Sequence, residues 1–200
     1  MSTAMPDRPV PLAHARRFAV VASIYNSEFV DGLITGASEE LAIIAPDSSV
    51  AIHRVPGSFE IPLGVQALGE RGNVDAIFAF GLLWQGGTSH ADLIATAVTN
   101  ALLDISLRLK LPVLHEVIVA QTEEQARERC LGTKINRGTE AARAAVRMLQ
   151  TLDAIRGDLD AIRGDLDAIR GDLDAIRGDL DAIRGDLDAI RGDLDAIRVI

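Results

Sequence analysis

Apolar residues follow two alternating rhythms over residues 18–149, and a third, strictly repeated rhythm after them. Phe18-Ala-Val-Val-Ala-Ser-Ile24 is a continuous apolar run, the pattern of a strand covered on both faces. Residues 30–44 take helical spacing. Residues 49–55 read as a strand that stops at Pro56-Gly57, and residues 61–68 resume a helical pattern with Pro62 tolerated in the first turn. Residues 76–83 form a second buried strand. A long helix is predicted over 89–110, with Leu93, Ala97, Leu102 and Ile105 toward the core. Residues 112–119 read as a third buried strand. Thr122-Glu-Glu-Gln125 has the form of a capping box opening a helix, and Thr139 opens a last, alanine-rich helix. Strands alternating with helices predict an α/β fold with a mostly parallel sheet covered on both faces. Ligands in such folds bind beyond the carboxyl ends of the strands.

From residue 152 the chain repeats Leu-Asp-Ala-Ile-Arg-Gly-Asp almost without variation. Leu and Ile recur at spacings of three and four, as the a and d positions of a coiled coil. With Leu152 at a, Arg156 is e, Gly157 is f and Asp158 is g, so Asp158 is placed to meet Arg163 of a neighbouring helix. The same phase runs back through Met148, Ala145 and Ala141. One Gly and two Asp per heptad oppose the helix, which leaves a frayed tail as the competing expectation. Leu at a with Ile at d favours more than two strands in a parallel coil. Residues 1–17 read as a flexible leader, 18–150 as the folded domain and 151–200 as a helical tail, from tandem duplication or construction.

Composition narrows the function classes. The formal charge is −9, of which the tail from Thr151 supplies −6, so the first 150 residues are only mildly acidic. No basic footprint for nucleic acid is present, and no apolar run reaches the ~18 residues that would span a membrane. Cys130 is the only cysteine. It reads as a packing residue, excludes an intrachain disulfide and fits a reducing, cytoplasmic compartment. His53, His90 and His115 are too scattered to suggest a metal site.

Chemistry concentrates at three strand ends: Tyr25-Asn26, Val55-Pro-Gly-Ser-Phe-Glu60 and Leu82-Leu-Trp-Gln-Gly-Gly-Thr-Ser-His90. Gly86 and Gly87 permit a tight turn and close approach to a ligand. Thr88 or Ser89 is a natural N-cap, and the free N–H groups of a helix start favour an anion such as phosphate. The same end of a helix disfavours a second proton on imidazole, so His90 is suited to shuttling protons. Each residue also has a plain structural reading: a strand–turn–helix connection for the glycines, a single backbone hydrogen bond for His90, charge complementation of a helix start for Glu60, and solvated surface charge for Arg129 and Lys134.

In combination these segments resemble lumazine synthases. The matching pieces stand in the family's order: Val20-Val-Ala-Ser-Ile-Tyr-Asn26, Val55-Pro-Gly-Ser-Phe-Glu-Ile-Pro62, Gly81-Leu-Leu-Trp-Gln-Gly-Gly-Thr-Ser-His90, Thr122-Glu-Glu-Gln-Ala126, Gly132-Thr-Lys134 and Asn136-Arg-Gly-Thr-Glu-Ala-Ala142. The resemblance implies a three-layer, flavodoxin-like sandwich with a four-stranded parallel sheet. It implies homopentamers, in some members paired into decamers or built into shells, with active sites between neighbouring subunits. The implied reaction condenses 5-amino-6-(D-ribitylamino)uracil with 3,4-dihydroxy-2-butanone 4-phosphate to 6,7-dimethyl-8-ribityllumazine, with no metal or organic cofactor. Carried over by position, Tyr25 stacks on the pyrimidine, with Asn26 beside it. Ser58, Phe59 and Glu60 bind the ribityl chain, and Leu82, Leu83 and Trp84 bind the pyrimidine through backbone groups. Gly87 and Thr88 form the phosphate turn, His90 is the acid/base, Arg129 binds phosphate and Lys134 lies near the pyrimidine carbonyl. His115 stands where most members place a Phe that covers the substrate from the adjacent subunit. Cys130-Leu131 adds a residue before Gly132, one is missing between Lys134 and Asn136, and the pattern resembles a divergent second branch of the family that tends toward decamers. The repeat tail raises a second function, a symmetric assembly scaffold on the same core. His115 and Tyr25 raise a third, a lumazine- or flavin-binding protein without turnover.

Overall fold

A computed structural model describes residues 5–197. The first four residues of the expected leader and the last three of the tail lie outside the described residues. The chain divides after Thr151 into two units.

The first unit is built on a four-stranded sheet in which every pair is parallel, in the order β2-β1-β3-β4. The strands are β1 (Arg17–Ser23), β2 (Ser49–Val55), β3 (Ala76–Trp84) and β4 (Val113–Ala120). Helices α1 (Ser27–Ile44), α2 (Ile61–Glu70), α3 (His90–Leu109), α4 (Glu123–Leu131) and α5 (Arg137–Ile197) connect and follow them. Pleating sorts the strand residues. Phe18, Val20, Phe78 and Phe80 join α1, α4 and α5 in one core cluster, whereas Val21, Ile77 and Ala79 join α2 and α3 in the other. The apolar runs of β1 and β3 are central strands, as their lack of polar alternation requires.

Several expectations need correction. β4 is an edge strand, paired only with β3, so five of its eight residues are partly exposed and it is not a third fully buried strand. On α3, Leu102 and Ile105 face the core with Ala91 and Val98, but Leu93 and Ala97 lie on the outer surface with Leu103 and Leu107. The helix thus has two apolar faces, and periodicity alone does not say which one meets the sheet. The last helix opens at Arg137, two residues before Thr139, because Asn136 caps it: its Oδ1 accepts from the N–H groups of Gly138 (2.9 Å) and Thr139 (3.2 Å). Thr122 caps α4 as predicted, accepting from Gln125 N–H, but the Gln125 side chain accepts from Gln121 N–H, so the reciprocal box does not form.

The segment expected as a flexible leader is also tied down over residues 6–12. Arg143, Arg147 and Gln150 of α5 donate to the carbonyls of Pro6, Asp7 and Val10, and Leu12 N–H donates to Ile44 O. Buried Glu40 accepts from Arg8 (2.7 Å) and Arg143 (2.8 Å). The Arg8 hydrogen bond is the main reason its carboxyl is held below the usual range.

The second unit is helical. Asp153–Arg156 and Asp160–Arg163 pair along the helix. The f-position glycines from Gly157 to Gly185 would meet nothing within 4 Å if given a Cβ. Replacing these five glycines with alanine therefore stabilises the tail helix by roughly 0.5–1 kcal/mol per site. Thermal melting followed by circular dichroism checks this, with a higher melting point for the five-alanine chain.

Candidate active site

The carboxyl ends of β1 and β3 are drawn together by one side chain. Asn26 sits in the left-handed region at φ 60°, which Asn tolerates better than most residues, just before α1. Its Nδ2 donates to Leu82 O at 2.8 Å, and its Oδ1 accepts from Trp84 Nε1 at 3.0 Å. The Trp84 ring meets Phe29 edge-on at 5.6 Å. Tyr25, 69% exposed, is held by its N–H to Pro56 O and lays its ring beside Gly57.

The Pro56-Gly57 turn leads into a single 3-10 turn, Ser58–Glu60. Ser58 is buried against Gly81, where a Cβ would come within 2.6 Å of its Oγ. Glu60 accepts from Gly57 N–H at 3.0 Å, and Phe59 points to solvent at 63% exposure.

Beyond β3 the chain turns through Gly86 and Gly87 into α3. Neither glycine has positive φ, and a Cβ on either would meet nothing within 4 Å. The chain's own geometry does not require glycine here; its absence of side chains leaves open space. Ser89 is the N-cap by position but makes no side-chain cap bond, so the first N–H groups of α3 keep their donors free of that partner. Asp92 in the same turn is tied to Gln85 Nε2 at 3.1 Å. His90, the first residue of α3, is exposed, and among the described residues its ring has no hydrogen-bond partner.

These ends enclose a pocket of about 460 Å³ lined by Tyr25, Asn26, Ser58, Leu82, Leu83, Trp84, Gly86, Thr88, His90, Ala91 and Ile94. Eight of the fourteen expected site residues thus converge. Phe59 and Gly87 are adjacent in the chain to lining residues, and Glu60 lies two positions from Ser58. His115, Arg129 and Lys134 are not among the lining residues. A larger cavity, about 590 Å³, lies between the N-terminal segment, α1 and the α4–α5 connection. Its buried polar groups, Glu40 and Asn136, bond to the protein itself, and no strand end opens into it.

Of the three outlying residues, His115 lies in β4 itself. His115 Nδ1 accepts from Val117 N–H, which leaves Nε2 to donate to Thr99 Oγ1 at 2.7 Å. Burial lowers the imidazole's pKa, so both ring nitrogens are engaged in a neutral ring. Half-buried Arg129 lies on α4 in electrostatic reach of Glu116, and Lys134 is exposed in the connection that follows α4.

Sequence reasoning passed over Glu116, Arg137 and Glu140, which form a charged cluster with Arg129. Arg137 pairs with Glu140, and the available signal was a lone acid inside the strand run 112–119. Burial pushes the Glu116 carboxyl up to about 7, against the pull of Arg137 and Arg129. A raised carboxyl favours the fold below its ordinary value of 4.5, and that contribution is lost as pH rises through about 7. Glu116→Gln should therefore raise stability above pH 7 by on the order of 2–3 kcal/mol, with little change at pH 4. Denaturant midpoints at the two pH values check it.

A parallel sheet covered by helices, with an aromatic-flanked pocket beyond its strand ends, places the chain among α/β proteins whose architecture suits a ligand at that edge. A sequence model of the 6,7-dimethyl-8-ribityllumazine synthase family matches residues 15–153. The chain is 40% identical to the 6,7-dimethyl-8-ribityllumazine synthase of Aquifex aeolicus over 146 residues, 72% of this chain and 94% of that one. It is 40% identical to the enzyme of that name from Halorhodospira halophila, over 68% of this chain and 88% of the other. For Sodalis glossinidius the identity is 37%, over 76% and 94%. The chain belongs to the 6,7-dimethyl-8-ribityllumazine synthase family.

Proposed function

We propose that the chain is a transferase of riboflavin biosynthesis. It condenses 5-amino-6-(D-ribitylamino)uracil with 3,4-dihydroxy-2-butanone 4-phosphate to 6,7-dimethyl-8-ribityllumazine, with loss of phosphate and water. The observation that carries the reading is the convergence of Tyr25, Asn26, Ser58, Trp84, Thr88 and His90 on one pocket. Tyr25 offers an exposed ring face for a pyrimidine. Ser58 and Glu60 suit a polyhydroxylated side chain. The open space at Gly86-Gly87 and the start of α3 suit a phosphate. His90 moves protons during imine formation and phosphate elimination, and holding the two substrates together supplies much of the acceleration.

In this reading the working form is a homopentamer or a multiple of it, in the cytoplasm, with a neighbouring copy completing each site. Two features support this. His115, Arg129 and Lys134 stand outside the pocket of their own chain, and α3 exposes Leu93, Leu103 and Leu107 at 59–70%. Mass measurement in solution should give a multiple of five chains; a monomer contradicts the shared site. Arg129→Ala should raise the Michaelis constant for the butanone phosphate by roughly 10-fold or more, since charge-assisted phosphate contacts are worth about 1.5–3 kcal/mol. Steady-state kinetics with the other substrate saturating reads this out, and an unchanged constant counts against phosphate binding there. The helical tail is read as a self-associating coil on the same core.

A further inference from the structure

The helical tail presents a stripe of eleven half-exposed Leu and Ile side chains from Ile155 to Ile190, each 49–61% exposed. Together they offer on the order of 1,000 Å² of apolar surface. A stable interface buries ~800 Å² per partner, and a monomer rarely exposes a contiguous patch of that size. The sequence of the stripe is also a poor autonomous helix. A Gly in each heptad costs about 1 kcal/mol relative to Ala, and each Asp is unfavourable as well. A long helix of this composition draws its stability from burial of one face.

The flanking charges identify what covers that face. Every g position from Asp158 to Asp186 is Asp, and every e position from Arg163 to Arg191 is Arg. In a parallel pair, g of one helix faces e of the next heptad on the other, so each contact joins Asp to Arg. In an antiparallel pair, g faces g and e faces e, so every contact joins like charges. The repeat therefore complements itself in one direction only. The b-position Asp residues do not alter this, since Asp153 and Asp160 lean on Arg156 and Arg163 of their own helix. Complete overlap of identical heptads buries the most stripe, which favours aligned ends.

We infer that the tail's apolar face is an interface for a second copy of the same tail, running parallel and in register. This deepens the reading of the tail as a self-associating coil and is independent of the catalytic one. The tail is a homotypic clamp whose charge pattern sets polarity, and its Leu-a, Ile-d seam favours more than two strands.

Disulfide trapping in the full chain tests it. Leu159 (a) and Ile183 (d) are replaced by cysteine in separate variants, oxidised alone and as a mixture. Cys130 is buried, and its thiol is pushed up to about 12, so it stays out of the exchange. The expected result is that each variant crosslinks to itself and the mixture adds little 159–183 product. A dominant 159–183 product overturns the polarity while leaving a coil. No crosslink in any sample overturns the coil itself. A third variant replaces Arg163, Arg170, Arg177, Arg184 and Arg191 with Asp in the Leu159→Cys chain. It should crosslink at least 5-fold less, and changing the g-position Asp residues to Arg in that chain should restore the yield. Yield indifferent to both changes overturns the charge argument. Formation of lumazine is expected to be unchanged throughout.

Discussion

His90→Ala should lower turnover roughly 10- to 1000-fold with both substrates saturating, while leaving stability within about 0.5 kcal/mol of the parent. The pairing of those two outcomes follows from where the ring sits. His90 opens α3, lines the pocket, is exposed, and has no hydrogen-bond partner among the described residues. A side chain with no structural partner costs the fold little when removed. General acid/base groups accelerate proton transfer by typically 10²–10⁴-fold, and the predicted loss overlaps the lower half of that range. The upper bound reflects what remains, because two substrates held side by side react faster without any proton shuttle. Near-normal turnover in the variant, measured at saturation, removes His90 from the mechanism.

Gly138→Ala should unfold or severely destabilise the first unit, by about 3 kcal/mol or more. Gly138 lies in the first turn of α5, and a Cβ there would sit 1.9 Å from Leu33 O and 2.9 Å from Leu33 Cα. Both are backbone atoms of α1, so no side-chain rotation relieves the clash. The contact is part of a wider close approach. A Cβ on Gly36 would meet the Asn136 side chain at 2.4 Å, and Asn136 Nδ2 donates to Cys130 O at 2.8 Å. The three elements α1, α4 and α5 lock through small residues and one capping amide. A 3 kcal/mol loss corresponds to a fall in melting temperature of roughly 6–12 °C. A melting temperature within 2 °C of the parent would show that the helices part without cost. Since α1 begins beside Asn26, which joins the ends of β1 and β3, partial loosening should also reduce activity.

The sequence made the strand alternation legible because β1 and β3 are covered on both faces, so their apolar runs carry no ambiguity. The polar residues beyond the strand ends are legible too, since Asn26 follows β1, Ser58 follows β2, and Thr88 and His90 follow β3. What pattern reading missed depends on tertiary choice. The inner and outer faces of α3 are both apolar, so periodicity does not separate exposed Leu93 and Ala97 from the core positions. β4 has the composition of a central strand but ends the sheet. The leader's capture rests on Arg8, Arg143 and buried Glu40, whose bonded pairs lie 32 and 103 positions apart and are invisible to local periodicity. The Glu116 cluster is of the same kind, assembled from β4, α4 and α5. Gly86 and Gly87 look like turn glycines in the sequence, but positive φ is absent from both and their value lies in the space they leave.

The proposed activity is tested by mixing the purified full chain with 5-amino-6-(D-ribitylamino)uracil and 3,4-dihydroxy-2-butanone 4-phosphate and following lumazine absorbance. Enzyme-dependent formation of 6,7-dimethyl-8-ribityllumazine is expected, with one phosphate released per product and a marked loss in the His90→Ala chain. A rate no faster than the two substrates alone, from protein that is folded and assembled, would contradict it.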